Sequence, residues 1–184
     1  FKMATELEVE SAEVSAKDPV INAIFPNGAT IKSETPALLA AAVSRHFGPV
    51  KVTAEWHEFF DKNAENSFSN VITGNTTEYL LGAEWQITDK WLVSAGAQYT
   101  ALDMDPAKYS DMNFSCPSVS VGLGFMYSFS EKIGLNFGVM PTFYQDVTST
   151  GIHSFGGMNL GQYTDVFSRT SIACGLGLDI KLGR

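Results

Sequence analysis

Ionisable side chains that could carry chemistry recur at alternate positions in the middle of the chain. Lys51, Glu55 and His57 are spaced by even numbers of residues, and Glu84 lies in a second segment of similar character. Alternate residues of an extended strand lie on one face, so these groups can form a polar network or contact a ligand on that face. We expect the polar network.

The histidines do not suggest a catalytic site. His46 lies near a turn, His57 on a strand and His153 in a loop, and none has a serine or aspartate at a spacing that implies a catalytic triad. We therefore expect no enzyme activity.

An acidic segment at 103–111 presents oxygen donors at alternate positions, a pattern that suits a hard cation such as calcium. Pro106 and Lys108 interrupt the pattern of a calcium-binding loop. We expect a solvated surface loop there, with no metal, and no cofactor elsewhere in the chain.

The segments that carry these residues alternate between apolar and polar side chains. Every second position of residues 79–87, 91–99, 119–129 and 172–182 is apolar or aromatic, and the intervening positions are mostly small or polar. A period of two predicts β-strands. Because the apolar face is larger than a soluble sheet could leave exposed, we predict an all-β fold, a transmembrane antiparallel up-and-down β-barrel.

Composition is compatible with this interpretation. Mean hydropathy is +0.01, because a membrane-spanning strand dilutes each lipid-facing residue with a polar one. The longest apolar run, 36–43, is far shorter than the 18 or so residues of a spanning helix. The net charge of −8 argues against nucleic acid as a partner.

Alternation and turn residues predict eight strands, joined alternately by short and long connections. Short turns at 47–49, 88–90 and 130–132 would be periplasmic, and long polar segments at 11–34, 61–76, 101–116 and 145–166 extracellular. The predicted strands cover residues 1–10, 35–46, 50–60, 77–87, 91–100, 117–129, 133–144 and 167–182.

Apolar residues in the long loops and near Pro141 are candidates for binding a hydrophobic ligand, with loop packing or a simple strand end as the alternative. Pro141 should interrupt the seventh predicted strand with a bulge or kink. Inward-facing glycines should leave room in the lumen. The candidate ligand contacts are Met112, Phe114, Met140, Phe143, Tyr144, Phe155 and Met158.

Cys116 and Cys174 lie on strands that a third strand should separate, so we expect two free thiols. Alternation already runs at Phe1, which indicates the C-terminal part of a longer protein. Residues 1–184 would then form a single transmembrane barrel region.

Several segments resemble FadL/TodX-type outer-membrane transport proteins, especially their Bacteroidetes members. These are 35–39, 59–63, 89–96 and 165–170, and the resemblance spans nearly the whole chain. It implies a 14-stranded monomeric barrel, plugged by an N-terminal hatch, that takes up hydrophobic molecules such as long-chain fatty acids. The C-terminal residues 182–184 depart from the aromatic end usual in outer-membrane barrels.

We therefore expect passive transport of hydrophobic small molecules across a Gram-negative outer membrane, by a monomer in contact with lipid and lipopolysaccharide. One alternative is a general or solute-specific porin, with a constriction formed by Lys51, Glu55, Glu84, Asp179 and Lys181. The other is a complete eight-stranded barrel with a structural or adhesive role.

Overall fold

The computed structural model describes residues 1–10, 30–64, 71–109, 114–155 and 158–182. These residues form antiparallel β-structure with two single-turn 3₁₀ helices at Asp61–Asn63 and Pro106–Lys108. In chain order the strands are β1 (Thr5–Glu10), β2 (Thr30–Thr35), β3 (Leu38–Phe47), β4 (Val50–Phe59), β5 (Thr76–Gln86), β6 (Trp91–Ala101), β7 (Ser118–Ser130), β8 (Ile133–Tyr144), β9 (Val147–Phe155), β10 (Met158–Phe167) and β11 (Thr170–Ile180).

A seven-stranded sheet in the order β11-β8-β7-β6-β5-β4-β3 holds most of the chain. Each strand pairs antiparallel with its neighbour along the sequence, except where β9 and β10 are inserted between β8 and β11. The predicted all-β, antiparallel up-and-down fold is confirmed. Among the described residues, no helix has the length and apolar character needed to cross a membrane.

Short and long connections lie at opposite ends of the sheet, as the sequence predicts. At one end, here the turn end, Gly48 and Pro49 join β3 to β4, and Gly48 adopts the positive φ of 60° that such a tight turn requires. The Thr88 hydroxyl accepts from the backbone N–H groups of Lys90 and Trp91 in the β5–β6 turn. All longer connections lie at the opposite end, here the loop end.

The register gives the seven-stranded sheet two different faces. Direct cross-strand partners lie on one face, so Trp56, Tyr79, Tyr99 and Val119 form one row across four strands. Exposed side chains in this outer face include Val43, Phe47, Leu81, Trp85, Trp91, Val121, Leu123, Phe137, Phe143, Ile172, Leu176, Leu178 and Ile180. The outer face is therefore largely apolar from β3 to β11, with Arg45 toward the turn end of β3 and Glu58 toward the loop end of β4 as its charged residues.

Both ends of the predicted strand list need correction. Residues 1–10 were expected to span the sheet, but β1 pairs with β2, which the sequence interpretation placed in a long polar loop. The long segment 145–166 likewise contains a second hairpin, β9–β10. Strands β2, β9 and β10 lack a regular apolar alternation, so hydrophobic periodicity did not predict them, whereas the alternation of residues 1–10 did predict the strand that contains β1.

Pro141 does not produce the predicted bulge. The β7–β8 register is the same on both sides of it, from Ser118 opposite Tyr144 to Ser128 opposite Gly134, and the one irregularity lies between Ser128 and Ser130. Proline lacks an N–H donor, and the ladder between β7 and β8 is accordingly interrupted at Val121 and Gly122, while Pro141 still pairs with Ile172 of β11.

Gly151 of β9 lies directly opposite Tyr163 of β10 and provides the space for its ring. A Cβ at Gly151 would lie 2.5 Å from the Tyr163 hydroxyl oxygen. We expect Gly151→Ala to destabilise the hairpin by about 1–3 kcal/mol, since the ring must move. Faster limited proteolysis within 147–167 would show this. Gly175→Ala, where a Cβ meets nothing within 4 Å, is the matched control, and equal proteolysis of both variants would contradict the prediction.

Candidate functional site: the inner face and its loop end

The inner face of the sheet is floored by glycine. Gly82, Gly96 and Gly122 are direct cross-strand partners on β5, β6 and β7, and Gly138 lies opposite Gly175 on β8 and β11. A cavity of about 1080 Å³ lies against these glycines. The cavity is open because these glycines have no side chains, and any larger residue at the same positions would project into it.

One ion pair and one histidine–carboxylate cluster line the β4–β5 side of the inner face. Lys51 lies opposite Glu84, with Nζ 3.4 Å from Oε2. His57 lies between two carboxylates, with Nε2 3.4 Å from Glu55 and Nδ1 3.3 Å from Glu78. The four residues that the sequence suggested as a polar network thus form two separate clusters. Lys51, Glu55 and Glu84 line the 1080 Å³ cavity.

Glu78 is a member of this network that sequence reasoning missed. Its Oε1 accepts from Gln98 Nε2 at 2.8 Å and from Thr100 Oγ1 at 3.3 Å, and its side chain is 18% exposed. Side chains of the two strands that flank β5 therefore hold the Glu78 carboxylate, His57 from β4 and Gln98 and Thr100 from β6. The position of Glu78 in the alternation along its strand predicts that its side chain lies on the inner face. Only the pairing of β4 with β5 shows that it lies opposite His57.

A second cavity, of about 340 Å³, lies at the loop end of the inner face. Its polar wall includes Glu78 and the buried Ser120 and Thr142, whose hydroxyl oxygens are 2.8 Å apart. Its apolar wall includes Leu102 and Phe114. Met140 lines both cavities, so its side chain lies at the boundary between them.

Arg169 supplies the cationic side of this upper cavity. Its guanidinium carbon lies 5.1 Å from the centre of the Tyr144 ring, a cation–π contact. Throughout the described part of the chain, no carboxylate lies within ion-pair distance of this guanidinium. Its N–H donors are available to an anion in the cavity. The sequence interpretation noted Arg169 only within a family-like segment and assigned it no role.

An aromatic cluster holds the β6–β7 connection against the β9–β10 hairpin. The Phe167 ring, 7% exposed, packs 5.1 Å from Phe114 and 5.4 Å edge-on from Tyr109. The Tyr109 hydroxyl donates to the carbonyl oxygen of Ser115. This aromatic cap, formed by Tyr109, Phe114 and Phe167, forms part of the wall of the upper cavity through Phe114.

The structure separates the residues suggested as ligand contacts. Phe114, Met140 and Tyr144 line the upper cavity. Phe143 lies on the outer face opposite Val119, so it is directed away from both cavities. Met158 is exposed at the start of β10, and Phe155, opposite it in the register, is the last residue of β9. Met112 lies outside the described residues.

Carboxylates of the acidic segment have structural partners. Asp105 accepts from the backbone N–H of Ala107 and lies 3.7 Å from Lys108 Nζ. The Asp103 carbonyl oxygen accepts from the N–H groups of Thr73 and Gly74, which joins two loops. Asp111 lies outside the described residues. Within the described ranges, no group of three or more histidine, cysteine, aspartate or glutamate side chains could hold a metal ion.

Both cysteines are free thiols, as predicted, but their environments differ. Cys174 is exposed on the outer face, whereas Cys116 is buried in the wall of the upper cavity. Burial raises the pKa of Cys116, the Asp146 carboxylate raises it further, and Arg169 opposes both effects. Burial also raises the pKa of Tyr109, with a smaller contribution from Cys116.

Thiol labelling tests this arrangement. In a Cys174→Ala background we expect Cys116 to react with iodoacetamide more slowly in the folded than in the denatured protein at pH 8, since the thiolate is the nucleophile. Asp146→Asn should speed labelling and Arg169→Gln should slow it. Because the folded-state pKa of Cys116 is raised, the folded protein has its full stability below the unfolded-state pKa of this thiol and loses stability as the pH rises through the folded-state pKa. Equal rates in folded and denatured protein would contradict the assignment.

Comparison with known proteins gives a match in fold alone. No family model matches the chain, and no curated protein matches its sequence. The structure is similar to the crystal structure of a Pseudomonas aeruginosa FadL homologue, with a TM-score of 0.67 and 14% sequence identity over 88% of this chain. The chain spans 40% of the length of that protein. The resemblance to FadL-type proteins is thus supported as a FadL-like β-barrel fold.

Proposed function

We propose that this chain is part of an outer-membrane protein that passes hydrophobic small molecules, such as long-chain fatty acids, without catalysing a reaction. The proposal rests on the contrast in character between the outer and inner faces of the sheet. The outer face is largely apolar from β3 to β11, while the inner face leaves a glycine-floored cavity of about 1080 Å³. A sheet that is apolar outside and roomy inside suits a membrane wall around a transport path.

Strand dimensions support a bilayer location. Strands β3 and β4 have 10 residues each and β5, β6 and β11 have 11. Ten residues at about 3.3 Å each, tilted by about 45°, span roughly 23 Å along the membrane normal. Outer-face aromatics occur near both ends, with Tyr79 and Tyr99 toward the loop end and Trp85 and Trp91 toward the turn end. We assign the loop end to the extracellular side, next to lipopolysaccharide, and the turn end to the periplasm.

We assign the route of an amphipathic ligand to the two cavities, because Met140 lines both of them. A polar head group would contact Arg169 in the upper cavity, and an apolar chain would pass Met140 into the glycine-floored cavity. Phe114 and Leu102 would cover the start of the chain. The route uses no catalytic group, and the protein acts as a monomer.

The porin alternative predicts unpaired charges along the inner face. Lys51 and Glu84 instead form an ion pair, which lowers the field that a constriction needs, and the Asp179 carboxylate accepts a hydrogen bond from the neutral amide of Asn136. Planar-bilayer recording with the full-length protein separates the two functions. We expect little steady ion current together with uptake of a fluorescent fatty acid into proteoliposomes. Large steady conductance without fatty-acid uptake would overturn the proposal.

Filling the glycine-floored cavity should block the ligand without unfolding the sheet. Gly175 lines that cavity, and a Cβ there meets nothing within 4 Å. We expect Gly175→Phe to lower fatty-acid binding at least several-fold, with little change in thermal stability. Ile172→Phe, on the outer face of the same strand, is the control. Equal binding by the two variants, measured by tryptophan quenching or calorimetry, would contradict the assigned route.

Removing the cavity cation should distinguish anionic from neutral ligands. A charge-assisted hydrogen bond contributes about 1.5–3 kcal/mol, so Arg169→Gln should weaken oleate binding roughly tenfold or more. Binding of oleyl alcohol should change little. Lys181→Gln removes one positive charge near the turn end and serves as the control. A loss equal for the acid and the alcohol would show that Arg169 does not contact the head group.

A further inference from the structure

The upper cavity carries charges of opposite sign at its two sides. Its lining crosses the strands, from Glu78 of β5 to Arg169 next to the start of β11. Within the described ranges, no lysine or arginine lies within ion-pair distance of Glu78, and no carboxylate lies that close to Arg169. His57 is shared between Glu55 and Glu78, so the β4–β5 side keeps an excess of negative charge.

Strand register aligns the residues between these two charges. Glu78 lies opposite Thr100, which lies opposite Ser118. Ser118 lies opposite Tyr144, whose backbone N–H donates to the Arg169 carbonyl oxygen at 3.3 Å. Ladder steps of about 4.8 Å place the Glu78 and Tyr144 backbones roughly 14 Å apart along the sheet. Side chains that project inward from a barrel wall converge, so the two charges face each other across a shorter gap.

The wall between the two charges is polar and buried. Ser118, Ser120 and Thr142 line the cavity and are each 7% exposed. A fatty-acid carboxylate at Arg169 would leave much of this wall, and Glu78 beyond it, facing methylene groups. Buried polar groups that lose water without gaining a partner cost free energy. The wall therefore suits a head group with polar atoms along its length.

The Glu78 carboxylate can accept a further hydrogen bond. An ionised carboxylate has about four acceptor sites. Its Oε1 accepts from Gln98 and Thr100, and its Oε2 contacts His57. One site therefore remains for a ligand. Because the acceptor is charged, an ammonium group would form a stronger hydrogen bond there than a neutral donor.

The position of Met140 gives the order of the charged groups in a ligand. Met140 lines both cavities and lies opposite Ala173 of β11, so the passage between the cavities is on the same side as Arg169. An alkyl chain that enters the glycine-floored cavity there has the anionic group next to it. A group attached beyond the anion extends toward Glu78.

We propose that the upper cavity binds amphipaths with a zwitterionic head group, in which an anion next to the alkyl chain contacts Arg169 and a primary ammonium group beyond it contacts Glu78. An alkyl phosphoethanolamine has this order of groups. A fatty acid neutralises one of the two protein charges, whereas a phosphoethanolamine neutralises both. This inference rests on the proposed passage of amphipathic ligands through the two cavities and names their head group.

Four ligands with the same dodecyl chain test the head group in the full-length protein. We expect dodecylphosphoethanolamine to bind at least about tenfold more tightly than the other three, because one charge-assisted hydrogen bond contributes that much. Dodecylphosphocholine has the same net charge but no N–H donor. Dodecylphosphoglycerol donates hydroxyls in place of ammonium, and dodecyl phosphate lacks the extension. Calorimetry of the protein in nanodiscs, with protein-free nanodiscs as the blank, measures the dissociation constants.

Variants assign the two contacts. Glu78→Gln should weaken binding of dodecylphosphoethanolamine at least about tenfold and leave that of dodecylphosphocholine unchanged. Arg169→Gln should weaken binding of all four ligands, since each carries a phosphate. Glu58→Gln makes the same change at the loop end of β4 on the outer face, and this matched control should keep the preference for phosphoethanolamine.

Any of three results overturns the proposal. The unaltered protein binds dodecylphosphocholine as tightly as dodecylphosphoethanolamine, it binds dodecylphosphoglycerol as tightly, or Glu78→Gln weakens both zwitterions equally. Uptake of a fluorescent fatty acid into proteoliposomes is measured in parallel. Uptake without any head-group preference would refute this inference and leave the transport proposal standing, whereas the preference without uptake would do the reverse.

Discussion

The antiparallel hydrogen-bond ladder of the seven-stranded sheet determines the position of every other feature. It places the apolar residues of all seven strands on one face and the glycines on the other, because cross-strand partners share a face. A shift of one residue at any pair would exchange the two faces of that strand. The apolar outer face resists such a shift, since it would put polar side chains among apolar ones.

Glycine has two separate uses in this fold. At Gly48 it supplies a backbone conformation, the positive φ of a tight turn. On the inner face it supplies space, and the rows of Gly82, Gly96 and Gly122 make a cavity out of what would otherwise be a packed interior. Polar side chains of the inner face with cross-strand partners lie on the β4–β5 side, at the loop end and on β8 and β11, where Asn136 donates to Asp179. The proposed transport path follows the part of the inner face that the glycines leave free of side chains.

The loop end is built from parts that are distant in sequence. Tyr109 and Phe114 come from the β6–β7 connection and Phe167 from the end of β10, yet they form one aromatic cap. Arg169 reaches Tyr144 because the β9–β10 hairpin returns the chain to β8. The upper cavity therefore depends on a hairpin whose sequence shows no regular apolar alternation along its length. Its stability depends on close pairs such as Gly151 with Tyr163.

The sequence by itself determined the strands, their faces and the segregation of short and long connections. Side-chain direction alternates along any extended chain for covalent reasons, so periodicity is a local property that needs no partner. Only the tertiary structure decided which residues meet. The pairing of His57 with Glu78, the absence of any described carboxylate within ion-pair distance of Arg169 and the unbroken register at Pro141 depend on strand partners. Strand β2 and the hairpin β9–β10 required the same information, because strands without a regular apolar pattern are defined by the backbone bonds they share.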